Sequence, residues 1–417
     1  MCRRTGRAAA VILSFGLVLV AAILISGLAH RTVLSTAVVF LFAGFLLGDG
    51  MANVITLTAG DPQVTQIAQI ALFVVLFTDG QHLAVRDLAR AWRLPGRALL
   101  LGMPLTFLIT TVLGVTLLGL PLLEALLISA VLAPTDPVFA SAIVGRTEIP
   151  ARIRGLLNVE SGLNDGLALP VVLVLVAAVG GPTVEPLVLA LELVGGIALG
   201  VVVPLLVSLL LRIRFLTTTP LYASLAPVAI AIIIYGVAEA TGANLYLAAF
   251  SAGITIASAA PALRDAFREY GEFIAENVKL VAIFVFGALI TPSVLGDVSL
   301  AGYVFALLTL IVARPIAVEL ALIGSKLPWQ ERATAAWFGP KGFASVLYGL
   351  LVLESGNPDS EHLFHLIVVA ISLSIVAHSS TDVPIASYFG RITAAQHKTS
   401  AAADSPSIAP SEPRQPE

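Results

Sequence analysis

Two short polar stretches interrupt apolar runs that are each long enough to cross a bilayer. The first is Thr135-Asp136-Pro137, and the second is Glu160-Ser161-Gly162-Leu163-Asn164-Asp165. A charged side chain at membrane depth costs about 2.5–3.5 kcal/mol on insertion scales. Because structural needs alone rarely justify that cost, the two stretches predict a functional site built from carboxylates.

The second stretch has the spacing of two neighbouring faces of one helix. Glu160 and Asn164 are helical neighbours on one face, and Ser161 and Asp165 are neighbours on the adjoining face. One face can therefore make structural contacts while the other offers oxygen atoms, which are the ligands of hard cations. The expected ligands of a monovalent metal cation are Asp165, Asp136, Thr135 and Ser161.

Two basic residues, Arg314 and Lys341, also fall inside apolar runs, whereas we expect the other Lys and Arg residues to lie in loops or tails. A buried arginine needs an anionic partner, because an unpaired charge in a low-dielectric interior is strongly destabilising. Glu160 is the expected partner of Arg314, with Asn164 as a neutral hydrogen-bonding neighbour. Glu319 is the alternative partner.

Asp165 is then left without a permanent counter-charge, so it can hold either a proton or a metal cation. The alternative is a structural ion pair of Asp165 with Arg314 or Lys341. Asp79 lies near the end of an apolar run and is interpreted either as a helix-end residue or as a further ligand. The polar residues 378–381 are interpreted as packing in the last span rather than as a proton relay.

Helix-breaking residues lie in the middle of two of the apolar runs that must position these groups. Prolines flank Thr135-Asp136 on both sides, and Gly339-Pro340-Lys341-Gly342 forms a second cluster. Matched broken helices in the two halves of a chain indicate a site at the membrane midplane built by an inverted repeat. We expect Asp136 and Lys341 to neutralise the opposite helix ends that such breaks expose.

The composition is that of an all-α integral membrane protein. Of the 417 residues, 58% are hydrophobic and 12% are charged, against about 25% charged residues in soluble chains. Apolar runs of about 20 residues predict about thirteen transmembrane helices. Their expected positions are 9–28, 33–50, 63–82, 97–119, 122–144, 155–178, 186–211, 220–240, 243–259, 277–294, 299–324, 332–353 and 362–388.

Composition and motifs also exclude several classes of protein. The net charge of −3 argues against a nucleic-acid partner, and the single cysteine, Cys2, excludes a disulfide framework or a cysteine metal site. No phosphate-binding loop of the GxxxxGK[ST] type is present, so ATP is not expected to act here. We expect no cofactor.

Basic residues outside the predicted spans concentrate in alternate loops, which the positive-inside rule assigns to the cytoplasm. Lys279 is counted among these loop residues. The pattern predicts an external N-terminus and a cytoplasmic C-terminus, although the basic N-terminal tail favours a twelve-span alternative. Residues 1–390 form the predicted transmembrane domain, and the Ala/Ser/Pro-rich residues 391–417 form a short disordered cytoplasmic tail.

Four motifs, taken in order, resemble those of the sodium(potassium)/proton antiporters of the NhaP and sodium–proton exchanger type. They are the Thr135-Asp136-Pro137 break, the 160–165 helix, Ala313-Arg314-Pro315, and Trp337-Phe338-Gly339-Pro340-Lys341-Gly342. The resemblance extends to about residue 390. It implies two inverted repeats, a core domain with two crossed broken helices that moves against a dimerisation domain, a homodimer, and residence in the cell (inner) membrane.

The resemblance also implies roles for individual residues. Asp165 matches the family's ion-carrying aspartate, Asp136 and Thr135 match residues of the broken helix, and Ser161 matches a cation ligand. Glu160, Asn164 and Arg314 match a structural polar cluster, to which we add Lys341. An Asn before the ion-carrying Asp implies electroneutral exchange of one cation for one proton.

Two positions depart from the family pattern. Lys341 stands where the family usually has Arg, and a lysine offers a point charge without the arginine fork. The acidic ligand that some relatives carry in the third span falls on Thr78, with Asp79 one residue later. The sequence therefore predicts a secondary antiporter that exchanges Na+, Li+ or K+ for H+. The alternatives are an intramembrane aspartyl enzyme that uses Asp136 and Asp165, and a cation channel.

Overall fold

The computed structural model describes residues 2–29, 36–49, 51–84, 93–136, 148–180, 185–213 and 219–403. Within these ranges the regular structure is helical. The helices are α1 (Cys2–Ala29), α2 (Thr36–Leu47), α3 (Pro62–Gln81), α4 (Arg93–Leu118), α5 (Leu122–Leu132), α6 (Ala151–Val179), α7 (Pro186–Leu210), α8 (Pro220–Thr241), α9 (Leu245–Ala259), α10 (Pro261–Leu289), α11 (Pro292–Asp297), α12 (Leu300–Ala321), α13 (Trp329–Trp337), α14 (Phe343–Leu353) and α15 (Ser360–Ala403).

The chain is a multi-pass, all-α membrane protein. Seven of the described helices are long and apolar enough to cross a membrane by length and composition, and five shorter apolar helices accompany them. The predicted count of about thirteen spans is not confirmed. Helices shorter than about 18 residues and the charged first half of α10 are not counted as spans by length and composition. The number of apolar runs in the sequence is therefore larger than the number of helices counted in this way.

The described helices pack into two groups. The first group holds α1–α3 and α7–α10, and the second holds α4–α6 and α12–α15. Each half of the chain therefore contributes helices to the first group and then to the second. Glycines let the backbones of the first group approach closely, because a Cβ on Gly44 would lie 2.1 Å from the carbonyl oxygen of Phe284 on α10.

Helical structure ends at both predicted breaks, and both lie in the second group. Helix α5 ends at Leu132 and residues 133–136 are not helical; Pro137 lies outside the described residues. Helix α13 ends at Trp337, and α14 begins at Phe343 after five non-helical residues. The prolines and glycines remove backbone hydrogen bonds at these points, so the free groups must find partners within the protein.

Two π-helical turns occur at corresponding places in the two halves. Ala98–Gly102 forms one in α4, and Thr309–Ala313 forms the other in α12. A proline follows each turn, Pro104 in α4 and Pro315 in α12, and a proline disturbs the preceding turn because it lacks an N–H. The second turn ends directly before Arg314 and so helps to set the direction of that side chain.

The predicted boundary between the membrane domain and the tail falls inside α15. This helix continues to Ala403, and residues 404–417 lie outside the described residues. The division at residue 390 and the disorder of the tail stay predictions.

Candidate functional site

The two breaks cross and bind each other through Asp136. Its backbone N–H donates to the carbonyl oxygen of Pro340 at 2.8 Å. Its carboxylate accepts a 2.5 Å hydrogen bond from the backbone N–H of Phe343, the first residue of α14. Gly342 leaves room for this carboxylate, because a Cβ there would lie 2.3 Å from Asp136 Oδ2. Asp136 thus places negative charge at the positive end of α14.

Lys341 neutralises the opposite helix end. Its ammonium group lies 3.3 Å from the carbonyl oxygen of Ala133 and 3.4 Å from that of Pro134, just beyond the end of α5. The side chain is completely buried. A cation is favoured at the carbonyl end of a helix. The expectation that Asp136 and Lys341 serve opposite ends of the breaks is therefore confirmed.

Arg314 and Glu160 form the expected buried ion pair. Arg314 Nη1 donates to Glu160 Oε1 at 2.7 Å, and Nη2 donates to the carbonyl oxygen of Phe338 at 3.0 Å. Both side chains are almost fully buried. The alternative partner, Glu319, instead pairs with Arg332 at 3.1 Å. The pair fixes α6 to α12 and holds the chain directly after the end of α13.

Hydroxyl and amide groups connect the first break to α6. The Thr135 hydroxyl lies 3.2 Å from that of Ser161, and Asn164 Nδ2 donates to Thr135 Oγ1 at 2.6 Å. Asn164 Oδ1 is buried without a hydrogen-bond partner among the described residues. We expected Asn164 to be a hydrogen-bonding neighbour of Arg314. Its side chain instead donates to Thr135, because the first break places the Thr135 hydroxyl next to Asn164 on α6.

Asp165 is the carboxylate of the site with the fewest direct partners. It is 4% exposed, and within the described ranges its side chain makes neither a hydrogen bond nor an ion pair. Its backbone carbonyl oxygen accepts a hydrogen bond from Tyr348 at 2.8 Å. The charged groups that act on it through space are Asp136, Asp79, Lys279 and Lys341. The alternative of a direct ion pair with Arg314 or Lys341 is not what the structure contains.

A second buried pair, which the sequence analysis missed, joins the two halves of the first helix group. Lys279 on α10 lies 3.8 Å from Asp79 on α3, and both side chains are about 10% exposed. The assignment of Lys279 to a loop is wrong, because α10 begins at Pro261 and carries Lys279 inside the protein. The sequence did contain a signal for this pair, because Asp79 and Lys279 both lie within predicted spans and a buried charge needs a partner. Thr78 donates to the carbonyl oxygens of its own helix.

A cavity of about 220 Å³ opens between α3 and α10 next to this pair. Thr78, the neighbour of Asp79 in the chain, is one of the lining residues. The lining residues of the cavity are Thr78, Gln81, His82, Arg264, Phe267, Arg268, Gly271 and Glu272.

Polar side chains of α15 hold the second break from behind. The backbone N–H of Lys341 donates to Ser374 Oγ at 2.7 Å, and this hydroxyl lies 3.2 Å from His378 Nδ1. His378 Nε2 lies 3.0 Å from the carbonyl oxygen of Trp337, and the Trp337 indole donates to Thr381. The interpretation of residues 378–381 as packing thus needs refinement, because His378 and Thr381 bind the end of α13.

The donor set gathered at the first break consists of oxygen atoms. In the part of the chain that the structure describes, no group of three or more His, Cys, Asp or Glu residues could hold a metal ion. Carboxylates and hydroxyls are the groups gathered here, and oxygen is the ligand of hard cations.

Comparison with known proteins finds relatives among antiporters. The chain is 27% identical over 385 residues to the K(+)/H(+) antiporter NhaP of Alkalimonas amylolytica, which covers 90% of this chain and 66% of that protein. It is 25% identical to the K(+)/H(+) antiporter NhaP2 of Shewanella oneidensis, over 86% of this chain and 64% of that protein. The chain thus spans slightly less than two thirds of the length of these curated relatives.

The fold matches a solved structure, that of the sodium proton antiporter MjNhaP1 from Methanocaldococcus jannaschii. The TM-score is 0.75 at 21% identity, and the match covers 92% of this chain and 98% of that one. The family model for sodium/hydrogen exchangers, transmembrane, matches residues 17–387. Because this match includes both breaks and the carboxylate helix, we conclude that the chain belongs to the sodium/hydrogen exchanger family of membrane proteins.

Proposed function

We propose that the protein is a secondary antiporter that exchanges a monovalent cation (Na+, Li+ or K+) for H+ by electroneutral transport. The observation that carries the proposal is the buried Asp165 carboxylate, which has no direct partner in the described structure and lies beside a break lined with oxygen atoms. The relatives named as K(+)/H(+) and Na(+)/H(+) antiporters support it.

Asp165 is the exchangeable group in this mechanism. It binds either the metal cation or a proton, and the two compete because one carboxylate cannot hold both. The Thr135 and Ser161 hydroxyls, with the Asp136 carboxylate of the same break as Thr135, complete the oxygen environment of the cation. The Asn164 amide holds the Thr135 hydroxyl in place and adds no charge.

Alternating access requires that the loaded site face each side of the membrane in turn. The division into two helix groups supports a movement of the second group, which carries Asp165, against the first. The cavity between α3 and α10 supports access from the side that the basic loops assign to the cytoplasm. We further propose a homodimer in the inner membrane, with the N-terminus outside and the C-terminus inside.

Proton flux in proteoliposomes tests the proposal. Addition of Na+, Li+ or K+ to vesicles with an enclosed pH-sensitive dye is expected to produce a saturable proton flux. The flux should not change when potassium and valinomycin clamp the membrane potential. A single-channel current would instead support the channel alternative; the membership in an exchanger family argues against the aspartyl enzyme.

The Asp165→Asn variant tests the site itself. We expect the cation-dependent flux to disappear, because an amide cannot carry the proton or balance the cation. Asp265→Asn is the matched control, since Asp265 is 61% exposed and, among the described residues, forms an ion pair only with its neighbour Arg264. Full flux through Asp165→Asn would show that the exchange takes place at another residue.

A further inference from the structure

The Asp79–Lys279 pair faces the candidate cation site from the first helix group. Asp79 and Lys279 lie on α3 and α10, whereas Asp165 lies on α6 in the second group. The Lys279 ammonium acts through space on the carboxylates of Asp165 and Asp136 as well as on Asp79. Leu83, four residues after Asp79, lies against Gly162, three residues before Asp165. A charge buried near a cation site changes the electrostatic potential of that site, because little water screens it.

The pair is looser than the other buried ion pair. Lys279 Nζ lies 3.8 Å from Asp79 Oδ1, whereas Arg314 and Glu160 are joined by a 2.7 Å hydrogen bond. Asp79 Oδ2 is buried and has no hydrogen-bond partner in the described structure. Lys279 therefore does not satisfy Asp79 as a purely structural partner would, and its charge remains available to the whole site.

Counted with every carboxylate ionised and both lysines protonated, the buried groups around the two breaks carry one net negative charge. Arg314 and Glu160 cancel each other in direct contact. The remaining carboxylates are those of Asp79, Asp136 and Asp165, and the remaining cations are Lys279 and Lys341. Glu276 lies one turn before Lys279 and acts on it through space, but its side chain is exposed at the protein surface, so it is not counted among the buried charges.

One net negative charge matches one bound monovalent cation or one bound proton. Without Lys279 the same site would carry two negative charges. A site with two charges is balanced by two monovalent ions, or by a cation together with a proton, because a net charge in a low-dielectric interior is strongly unfavourable. The ratio of cations to protons therefore depends on Lys279 as well as on Asp165.

We propose that Lys279 is the internal counter-charge that restricts the site to a single monovalent cation and so keeps the exchange electroneutral. This inference rests on the proposed antiport function. It assigns Lys279 as a specificity-determining residue that acts through charge, without direct contact with the cation.

Charge substitutions at the pair test this inference in proteoliposomes of the full chain. Lys279→Gln should lower the half-saturating Na+ or K+ concentration by about tenfold, through removal of a nearby like charge. Its transport should also become sensitive to a valinomycin-clamped potential. Asp79→Asn should raise the half-saturating concentration by a similar factor. The double variant Asp79→Asn/Lys279→Gln restores the net charge and should return electroneutral transport.

Two controls separate charge from shape. Lys279→Arg keeps the charge and should remain electroneutral, and Lys326→Gln removes an exposed cation on a loop and should change nothing. The inference would be overturned if transport by Lys279→Gln stayed electroneutral and its half-saturating cation concentration did not change. A double variant that is as impaired as the worse single variant would also overturn it, since the pair would then be structural.

A binding measurement separates this inference from the proposed function. Thermal unfolding of purified wild type and Lys279→Gln is followed as Na+ or K+ is added, which reads cation binding without transport. If the wild-type protein shows no exchange in vesicles, the antiport function is refuted. The difference between wild type and Lys279→Gln in the cation dependence of unfolding would still test the role of Lys279. An identical cation dependence in both proteins would overturn the counter-charge.

Discussion

The buried carboxylates around the breaks are held in different ways at the residue scale. Glu160 bonds to Arg314, Asp136 accepts from the backbone of α14, and Asp79 lies at longer distance from Lys279. Asp165 has no such bond among the described residues. The carboxylate with the weakest fixed partner is the one whose charge a mobile ion can most readily balance, and this supports Asp165 as the exchanging group.

Removal of the Thr135 hydroxyl is expected to weaken cation binding. Thr135→Val deletes the group between Ser161 and Asn164 and leaves the buried Asn164 amide without its 2.6 Å partner. We expect the half-saturating cation concentration in vesicles to rise about tenfold, which is about 1.4 kcal/mol and lies within the cost of about 1–3 kcal/mol for an unsatisfied buried polar group. Thr106→Val is the control, because that buried hydroxyl binds only its own helix. Equal effects at both positions would contradict a role in the site.

Loss of one member of the Arg314–Glu160 pair is expected to destabilise the protein. Glu160→Gln leaves a buried guanidinium without its anion, at an expected cost of about 3–5 kcal/mol. Thermal unfolding in detergent should show a large decrease in midpoint, and Glu160→Gln/Arg314→Gln should recover part of it. Glu319→Gln breaks the half-exposed pair with Arg332 and should cost about 0–1 kcal/mol. Similar decreases for both single variants would refute the distinction.

The two breaks depend on each other at the scale of the element. Asp136, from the first, caps the start of α14, while Lys341, from the second, lies at the end of α5. Each break thus supplies the charge that stabilises the other. Arg314 and α15 hold the end of α13 through the carbonyl oxygens of Phe338 and Trp337. The site depends on non-helical backbone that side chains of α6, α12 and α15 hold in place.

Gly342→Ala is expected to abolish transport without unfolding the protein. The added Cβ would lie 2.3 Å from Asp136 Oδ2, so the carboxylate must move away from the backbone N–H of Phe343. Cation-dependent proton flux reports the loss, and size-exclusion chromatography reports the fold. Gly236→Ala is the control, because a Cβ there meets no atom within 4 Å. A fully active Gly342→Ala would show that the position of Asp136 is not critical.

Truncation of His378 is expected to slow transport while leaving cation affinity nearly unchanged. The imidazole bridges Ser374 and the carbonyl oxygen of Trp337, and so fixes both sides of the second break. His378→Ala should lower the maximal flux several-fold. The control Ser380→Ala removes a hydroxyl that binds only the carbonyl oxygen of Ala377 in its own helix. An unchanged maximal flux in His378→Ala would mean that the break is rigid without α15.

At the scale of the whole molecule, the important feature is that the candidate site lies within one of the two helix groups. Asp165 and both breaks lie in the second group, and the Asp79–Lys279 pair lies in the first. The groups contact each other through side chains at small residues: Leu83, just after α3, lies against Gly162 on α6, and the Phe250 ring on α9 lies against Gly166 on α6. Movement of one group against the other must slide these contacts, and packed elements can slide past or rotate against each other as rigid bodies.

Covalent connection of the two groups is therefore expected to stop transport. A short bis-maleimide should link Leu83→Cys to Gly162→Cys in a Cys2→Ser background, because the two side chains would be within about 4 Å. The control pair Gly114→Cys/Ala125→Cys joins α4 to α5 within the second group, where the Cβ atoms are 3.3 Å apart. Flux should vanish only for the first pair. Continued flux after complete linkage of that pair would argue against relative movement.

Local sequence patterns predicted much of the candidate site. Proline and glycine positions predicted both breaks, and the helical spacing of residues 160–165 placed Glu160 and Asp165 on neighbouring faces. The requirement for a partner led from Arg314 to Glu160, and the structure confirms the contact. These predictions succeed because backbone chemistry and helical periodicity act over a few residues, and because an unpaired buried charge is too unfavourable to leave alone.

The sequence by itself determined that the chain is a helical membrane protein of the exchanger type, with one break that carries Asp136, a second that carries Lys341, and a helix that carries Glu160 and Asp165. Only the tertiary structure decided that Lys279 lies buried beside Asp79, that Asn164 bonds to Thr135, and that His378 holds the end of α13. These contacts join residues on separate elements. Their formation depends on how helices cross and how far each extends, and the one-dimensional pattern of polar and apolar residues does not contain that geometry.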